Sequence, residues 1–164
     1  MTSRVAAVRE LIGLSAYRLG RWDEALRELR TYRRMSGDAS HLPIEMDVLR
    51  ALERPDDVEK AWKELQRVGG DRFTMSEGRV VFASYLLDLD RPKDAWRVVG
   101  PKSLTKDPSE PDLREWFVAA RVAARLGDMG TARRLYERVQ KADPAFPGLD
   151  ELDRITSGRD KERS

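Results

Sequence analysis

The 164-residue chain contains no cysteine, which excludes disulfides, thiolate catalysis and cysteine-ligated metal sites. It has one histidine, His41, so neither a multi-histidine metal site nor a histidine relay can be assembled. Asparagine is absent, and 24 of the 31 basic residues are arginine, a bias that points to a GC-rich coding genome. Long apolar runs are missing too. The longest, residues 80–87, is interrupted by Ser84 and falls far below the roughly 20 residues that span a bilayer. The opening Met1-Thr2-Ser3-Arg4-Val5 has no apolar stretch or small-residue cleavage site of a secretory signal, so a cytoplasmic location is the default expectation. No charge dominates: 31 basic residues face 29 acidic ones for a net charge of +2, interspersed along the chain, which disfavours nucleic-acid and membrane partners. Neither GxxxxGK[ST] nor a strand-associated GxGxxG occurs, and no cofactor or metal is expected.

What is present is a globular composition, 40% hydrophobic and 37% charged, too apolar for a disordered chain. An internal period runs through it. Gly20-Arg21-Trp22-Asp23-Glu24-Ala25 aligns with Gly127-Asp128-Met129-Gly130-Thr131-Ala132, and Glu53-Arg54-Pro55-Asp56-Asp57-Val58 with Asp90-Arg91-Pro92-Lys93-Asp94-Ala95. The equivalent small residues Ala25, Val58, Ala95 and Ala132 are separated by 33, 37 and 37 positions. Two antiparallel helices approach closely only where a small side chain faces the partner, so the period reads as four helical hairpins.

The fourth hairpin carries Trp116, Ala119-Ala120, Ala123, Ala132, Tyr136 and Pro144. The first has Ile12-Gly13, Ala16, Gly20, Ala25 and Leu29, with Arg9 where an aromatic belongs. The third supplies Phe82-Ala83, Leu86, Ala95 and Val99. The second supplies Leu42, Met46, Leu49, Val58 and Trp62, with Glu45 at an apolar position. On these residues, over positions 5 to 145, the chain resembles the tetratricopeptide repeat family in the degenerate form of high-GC, actinobacterial-type bacterial proteins. The resemblance implies an all-α, right-handed α-solenoid of about four hairpins with a short C-terminal capping helix.

Helix signals give the same partition. Apolar spacing predicts helices over 4–19, 22–35, 41–52, 56–68, 75–89, 92–99, 111–126 and 129–141, grouped as hairpins 4–35, 41–68, 75–99 and 111–141. Thr74-Met75-Ser76-Glu77 reads as a capping box, Pro55 and Pro92 as first-turn prolines, and Gly69-Gly70 and Gly100-Pro101 as stops. Phe146, Leu149, Leu152 and Ile155 suit a final helix over 147–156 that covers the last hairpin. A single domain is expected over 1–156, with a polar, frayed tail over 157–164.

Signals for chemistry are weak. His41 opens a helix and reads as structural. Asp56-Asp57, Asp88 with Asp90, and Glu151 with Asp153 point in different directions on a helix, and Asp56 and Asp57 suit a helix dipole. Trp62 and Trp116 fall on motif positions and Trp22 on a turn position, whereas Trp96 has no assignment. An enzyme is therefore not expected.

The resemblance directs attention to a concave face lined by the first helix of each hairpin: Glu10, Leu14, Tyr17 and Arg18; Asp47 and Arg50; Glu77, Val81, Ser84 and Asp88; and Arg114, Phe117, Arg121 and Arg125. Acids dominate the middle. Arg114, Arg121 and Arg125 gather at one end beside Phe117, a combination that could grip a carboxylate and an apolar side chain. The alternative is that these arginines pair locally, for example with Asp128. The expected function is a noncatalytic protein–protein interaction scaffold or adaptor that binds a peptide or helix, with an acidic-ended peptide as ligand class and a homodimer left open. The family's chaperone-binding carboxylate clamp needs Asn and is refused. Two alternatives stand beside this reading. One is a nucleic-acid-associated protein using the Arg-rich end. The other is a regulatory segment of a longer protein, because Val5, Val8, Leu11 and Ile12 of the first helix follow no capping helix.

Overall fold

The computed structural model describes residues 3–157, which form nine helices and no strand among the described residues. They are α1 (Arg4–Arg18), α2 (Trp22–Ser36), α3 (Leu42–Ala51), α4 (Pro55–Val68), α5 (Arg72–Asp88), α6 (Pro92–Val99), α7 (Glu110–Arg125), α8 (Met129–Ala142) and α9 (Leu149–Ser157). Among the described residues no helix is long and apolar enough to cross a membrane. The chain divides into two compact units, Met1–Val81 and Phe82–Ser164, with the boundary inside α5.

Four turns have one backbone design. Gly20, Glu53, Asp90 and Gly127 follow α1, α3, α5 and α7 at φ of 70°, 54°, 53° and 81°. The next N–H, of Arg21, Arg54, Arg91 or Asp128, donates back to the carbonyl of Ala16, Leu49, Leu86 or Ala123 at 2.8–2.9 Å. This bond satisfies a carbonyl that the helix end leaves without a partner, and it requires the left-handed residue before it. The same residues' carbonyls then accept the N–H groups of Ala25, Val58, Ala95 and Ala132 at 2.9–3.1 Å, which starts the second helix of each pair. Glycine takes the left-handed conformation freely, whereas a β-carbon there costs roughly 1–2 kcal/mol. Glu53→Gly is therefore expected to stabilise the protein by about 0.5–1 kcal/mol, net of the entropy glycine returns to the unfolded chain. Urea denaturation checks this. Asp90 is the less clean site, because its side chain holds Arg125.

The four small residues read from the period are fully buried, where they let the paired helices close. α1 packs on α2, α3 on α4 and α7 on α8. The approach is tightest at Gly13, where a β-carbon would lie 2.8 Å from Leu29 Cγ and 3.1 Å from the Leu29 backbone nitrogen. Successive pairs are joined by the second helix of one pair lying on the first helix of the next. α2 packs on α3 and α6 on α7, and on α5 a β-carbon at Gly78 would meet Leu65 at 2.3 Å and Trp62 at 3.3 Å.

The largest departure from the expected boundaries is at the start of α5, and the others shift by one or two residues. α5 begins at Arg72, because the Asp71 carboxylate accepts the Thr74 N–H at 2.8 Å. Thr74 and Ser76 are buried instead of opening the helix. α7 begins at Glu110 behind Ser109, whose N–H donates to the Asp112 carboxylate at 2.8 Å. α6 is short, at eight residues, as its prolines and the following loop predict. α9 covers the last pair, packing on both α7 and α8 with Leu152 fully buried. Ser157 belongs to this helix, and the rest of the expected tail, 158–164, lies outside the described residues.

Candidate functional site

In the first unit, the residues expected on one face are joined by polar contacts between helices. Tyr17 of α1 donates to Asp47 Oδ2 of α3 at 2.7 Å, and Arg50 donates to Asp47 Oδ1 at 3.1 Å. One carboxylate thus holds two neighbours from opposite sides, and the tyrosine hydroxyl bridges α1 to α3. Tyr17 also lies against Trp22, ring centres 6.0 Å apart, which accounts for the aromatic at the turn. Glu10 is 2.7 Å from Nε2 of His41, and the His41 ring sits 5.5 Å from that of Tyr32. These contacts give His41 the structural role expected of it. Arg18 is exposed at the end of α1.

Two buried carboxylates complete this network. Glu28 of α2 accepts from Arg9 of α1 at 2.7 Å and from Arg27 at 3.0 Å. Glu45 of α3, at the position expected to be apolar, is 1% exposed and receives Arg33 of α2 through two bonds of 2.9 and 3.1 Å. Arg30 lies 3.8 Å away. Arg9, which stands where the family has an aromatic, therefore serves as the cation for Glu28. The hydrogen bond from Arg9 holds the Glu28 carboxyl below its ordinary value of 4.5, against the opposing push of burial and with help from Arg27. The folded-state value is the lower one, so the stabilisation is complete above pH 4.5 and is lost as pH falls through the folded value. The cost of Glu28→Gln is accordingly expected to be constant above about pH 5 and to shrink on acidification. Denaturation midpoints of the two proteins between neutral and acid pH measure this. Tyr32 moves the opposite way, up to about 12, through burial and the hydrogen bond its hydroxyl gives Asp38 at 2.7 Å.

The second unit treats its expected residues differently. Arg114, Arg121 and Arg125 follow one another on α7 at intervals of seven and four, which places them along one side of the helix. Arg125 reaches Asp90 at 2.6 Å, with both side chains more than half exposed. Its local partner is thus Asp90. Asp128 caps α8 instead, accepting the Thr131 N–H at 3.0 Å. Phe117 is not an open anchor beside the arginines. Its ring lies 5.4 Å from that of Phe146, and a β-carbon at Gly148 would come within 2.8 Å of it. The segment leading into α9 therefore partly covers it, and Phe117 stays of intermediate exposure. Phe146 was readable as part of the final apolar pattern, but nothing in that pattern names Phe117 as its target. Arg114 and Arg121 are half-buried, Ser84 is buried and Asp88 is exposed. The unassigned Trp96 packs on the end of its own helix, where a β-carbon at Gly100 would meet it at 2.6 Å.

Two members of the acidic pairs, Asp57 and Asp153, are engaged in ion pairs. Asp57 holds Arg54 at 2.6 Å, and Asp153 of α9 holds Arg133 of α8 at 2.6 Å. Arg133 also lies over the Tyr136 ring at 4.5 Å. Among the described residues, no group of three or more His, Cys, Asp or Glu is placed to hold a metal ion. The described residues line shallow cavities, of which two are notable. One, of about 190 Å³, lies along α1 and the start of α2, lined by Leu11, Ile12, Ser15, Ala16, Leu19, Arg21 and Glu24. The other, of about 350 Å³, lies between Lys106–Pro108 and Arg138, Lys141 and Ala142. Compared with family models, with curated proteins and with solved structures, the chain matches none, and its reading rests on its own residues.

Proposed function

We propose that this chain is a noncatalytic protein-interaction module of the tetratricopeptide type. In this reading four hairpins form a right-handed stack closed by α9, and the first helices of the hairpins present the binding face. The observation that carries it is the four-fold turn. One hydrogen-bond pattern recurs at Gly20, Glu53, Asp90 and Gly127, each followed by a fully buried small residue five positions on. Repeats of that kind bury their apolar faces on one another and leave the outer faces for partners.

The ligand class that fits best is a peptide with an acidic end, held at Arg121 and Arg125 of α7. The Arg125–Asp90 pair supports this. Both side chains are largely solvated, so a ligand carboxylate can replace Asp90 at little cost. With Phe117 packed against Phe146, the arginines supply the main recognition. The test is a pull-down with the intact chain, followed by affinity measurement of the captured partner's peptide. Arg121→Glu with Arg125→Glu is expected to weaken binding by at least about tenfold, the effect of reversing a charge contact. Unchanged affinity rejects the site, and failure to retain any protein rejects the module.

A further inference from the structure

In three of the four helix pairs, the same face of the first helix lies under another helix. Positions equivalent to Ser15 include Val48 and Val122, and positions equivalent to Ile12 include Glu45 and Ala119. All four are buried, and the helices lying on these faces are α2 over α3 and α6 over α7, while at Gly78, the α5 position equivalent to Val8, Leu65 and Trp62 of α4 close over the helix. On α1 the face is bare. Val5 and Val8 are 56% and 55% exposed, Leu11 69%, Ile12 37% and Leu19 66%. At 100° per residue these side chains, with Ser15, occupy one arc of the helix. An apolar patch of this length on an otherwise charged surface marks an interaction site. Its shape, and the burial of the equivalent positions, call for a helix as the occupant.

We infer that the occupant is α1 of a second copy of this chain, packed antiparallel about a two-fold axis at Ile12. The spacing of the face is self-complementary about that residue. Reversing the helix on itself sets Val5 against Leu19 of the other copy, Val8 against the small pair Ser15 and Ala16, and Ile12 against Ile12. Ser15 and Ala16 line the 190 Å³ cavity, with Leu11, Ile12 and Leu19 around them, so Val8 enters a hole that already exists, once in each direction. The charges agree as well. Arg4, at the start of the face, arrives beside Glu24 at the far end of the same cavity. In one copy Glu24 has only a long 3.7 Å contact with Arg21. An isologous contact doubles each of these pairings.

The absence of cysteine makes the test unambiguous. Helix axes packed about 9–10 Å apart bring facing Cα atoms to about 4.4–5.4 Å at a two-fold axis, within disulfide reach. Under mild oxidation, Ile12→Cys is expected to give a covalent dimer far faster than Gln140→Cys, an exposed control on α8. Sedimentation of the unmodified chain should show a monomer–dimer equilibrium, weakened at least about tenfold by Leu11→Glu or Leu19→Glu. Both substituted residues are exposed, and circular dichroism confirms that the fold is kept. The inference is overturned if the chain stays monomeric at hundreds of micromolar, if Ile12→Cys crosslinks no faster than the control, or if the glutamate variants dimerise like the parent. None of these results depends on peptide binding at α7.

Discussion

Replacing Glu45 by alanine is expected to destabilise the first unit by about 3 kcal/mol, in the range measured when one partner of a buried ion pair is removed. Glu45 is 1% exposed, and both of its oxygens are taken by Arg33 at 2.9 and 3.1 Å. Truncation leaves a hole between α2 and α3, and it strips Arg33, itself 31% exposed, of its two strongest bonds. The partial exposure of Arg33 lets water recover some of the loss, which keeps the figure toward the lower end of that range. Glu45→Met separates the two contributions. A flexible apolar side chain refills the space, and a buried ion pair exchanged for apolar packing is often neutral or better. The methionine variant should therefore recover most of the loss. Equilibrium urea denaturation followed by tryptophan fluorescence measures both. If the two variants are equally damaged, the specific geometry of the Arg33 pair, and not the filled volume, holds α2 to α3.

Truncating Leu152 to alanine is the second large effect, expected to cost about 2–5 kcal/mol as a fully buried leucine in a site that cannot collapse freely. Leu152 is the buried centre of α9, flanked by Leu149 and the buried Thr156, whose hydroxyl bonds back to the Leu152 carbonyl at 2.8 Å. α9 is only nine residues long, too short to persist without packing. Its attachment depends on Leu152 and on the Arg133–Asp153 pair at 2.6 Å, half exposed and worth little by itself. Loss of α9 also uncovers Phe117, since the Phe146–Gly148 segment leads into that helix. Faster amide exchange in α7 and α9, with α1–α3 unchanged, is the expected signature. Unchanged protection in α7 would show that the second unit does not depend on this cap.

The elements were legible to within a few residues because their signals are local. First-turn prolines at Pro55 and Pro92, Gly20 and Gly127 after the first helices, and small residues five positions later act through sterics that the neighbouring chain alone sets. The start of α5 was misread for the same reason: Asp71 and Thr74 are both good caps three residues apart, and local pattern does not rank them. The candidate site was legible only as positions on faces. That Tyr17 reaches Asp47, that Arg125 turns to Asp90, and that Phe117 packs against Phe146 are contacts between residues 29 to 35 apart. No spacing rule encodes them.

By itself, then, the sequence determined what kind of helix begins and ends where, and how often the pattern returns, since propensity, capping and apolar period are properties of short stretches of chain. Only the tertiary structure decided which charged residues are spent inside the protein and which apolar ones are left outside. Glu45 looked like a defect in the pattern and is instead a buried partner for Arg33. Val5, Val8, Leu11 and Ile12 read as a first-helix face with no capping helix before it, and all four are exposed. The physical reason is that burial belongs to pairs of surfaces. A helix face is interior only when another element lies on it, and which element does so is settled by the whole chain and by its partners.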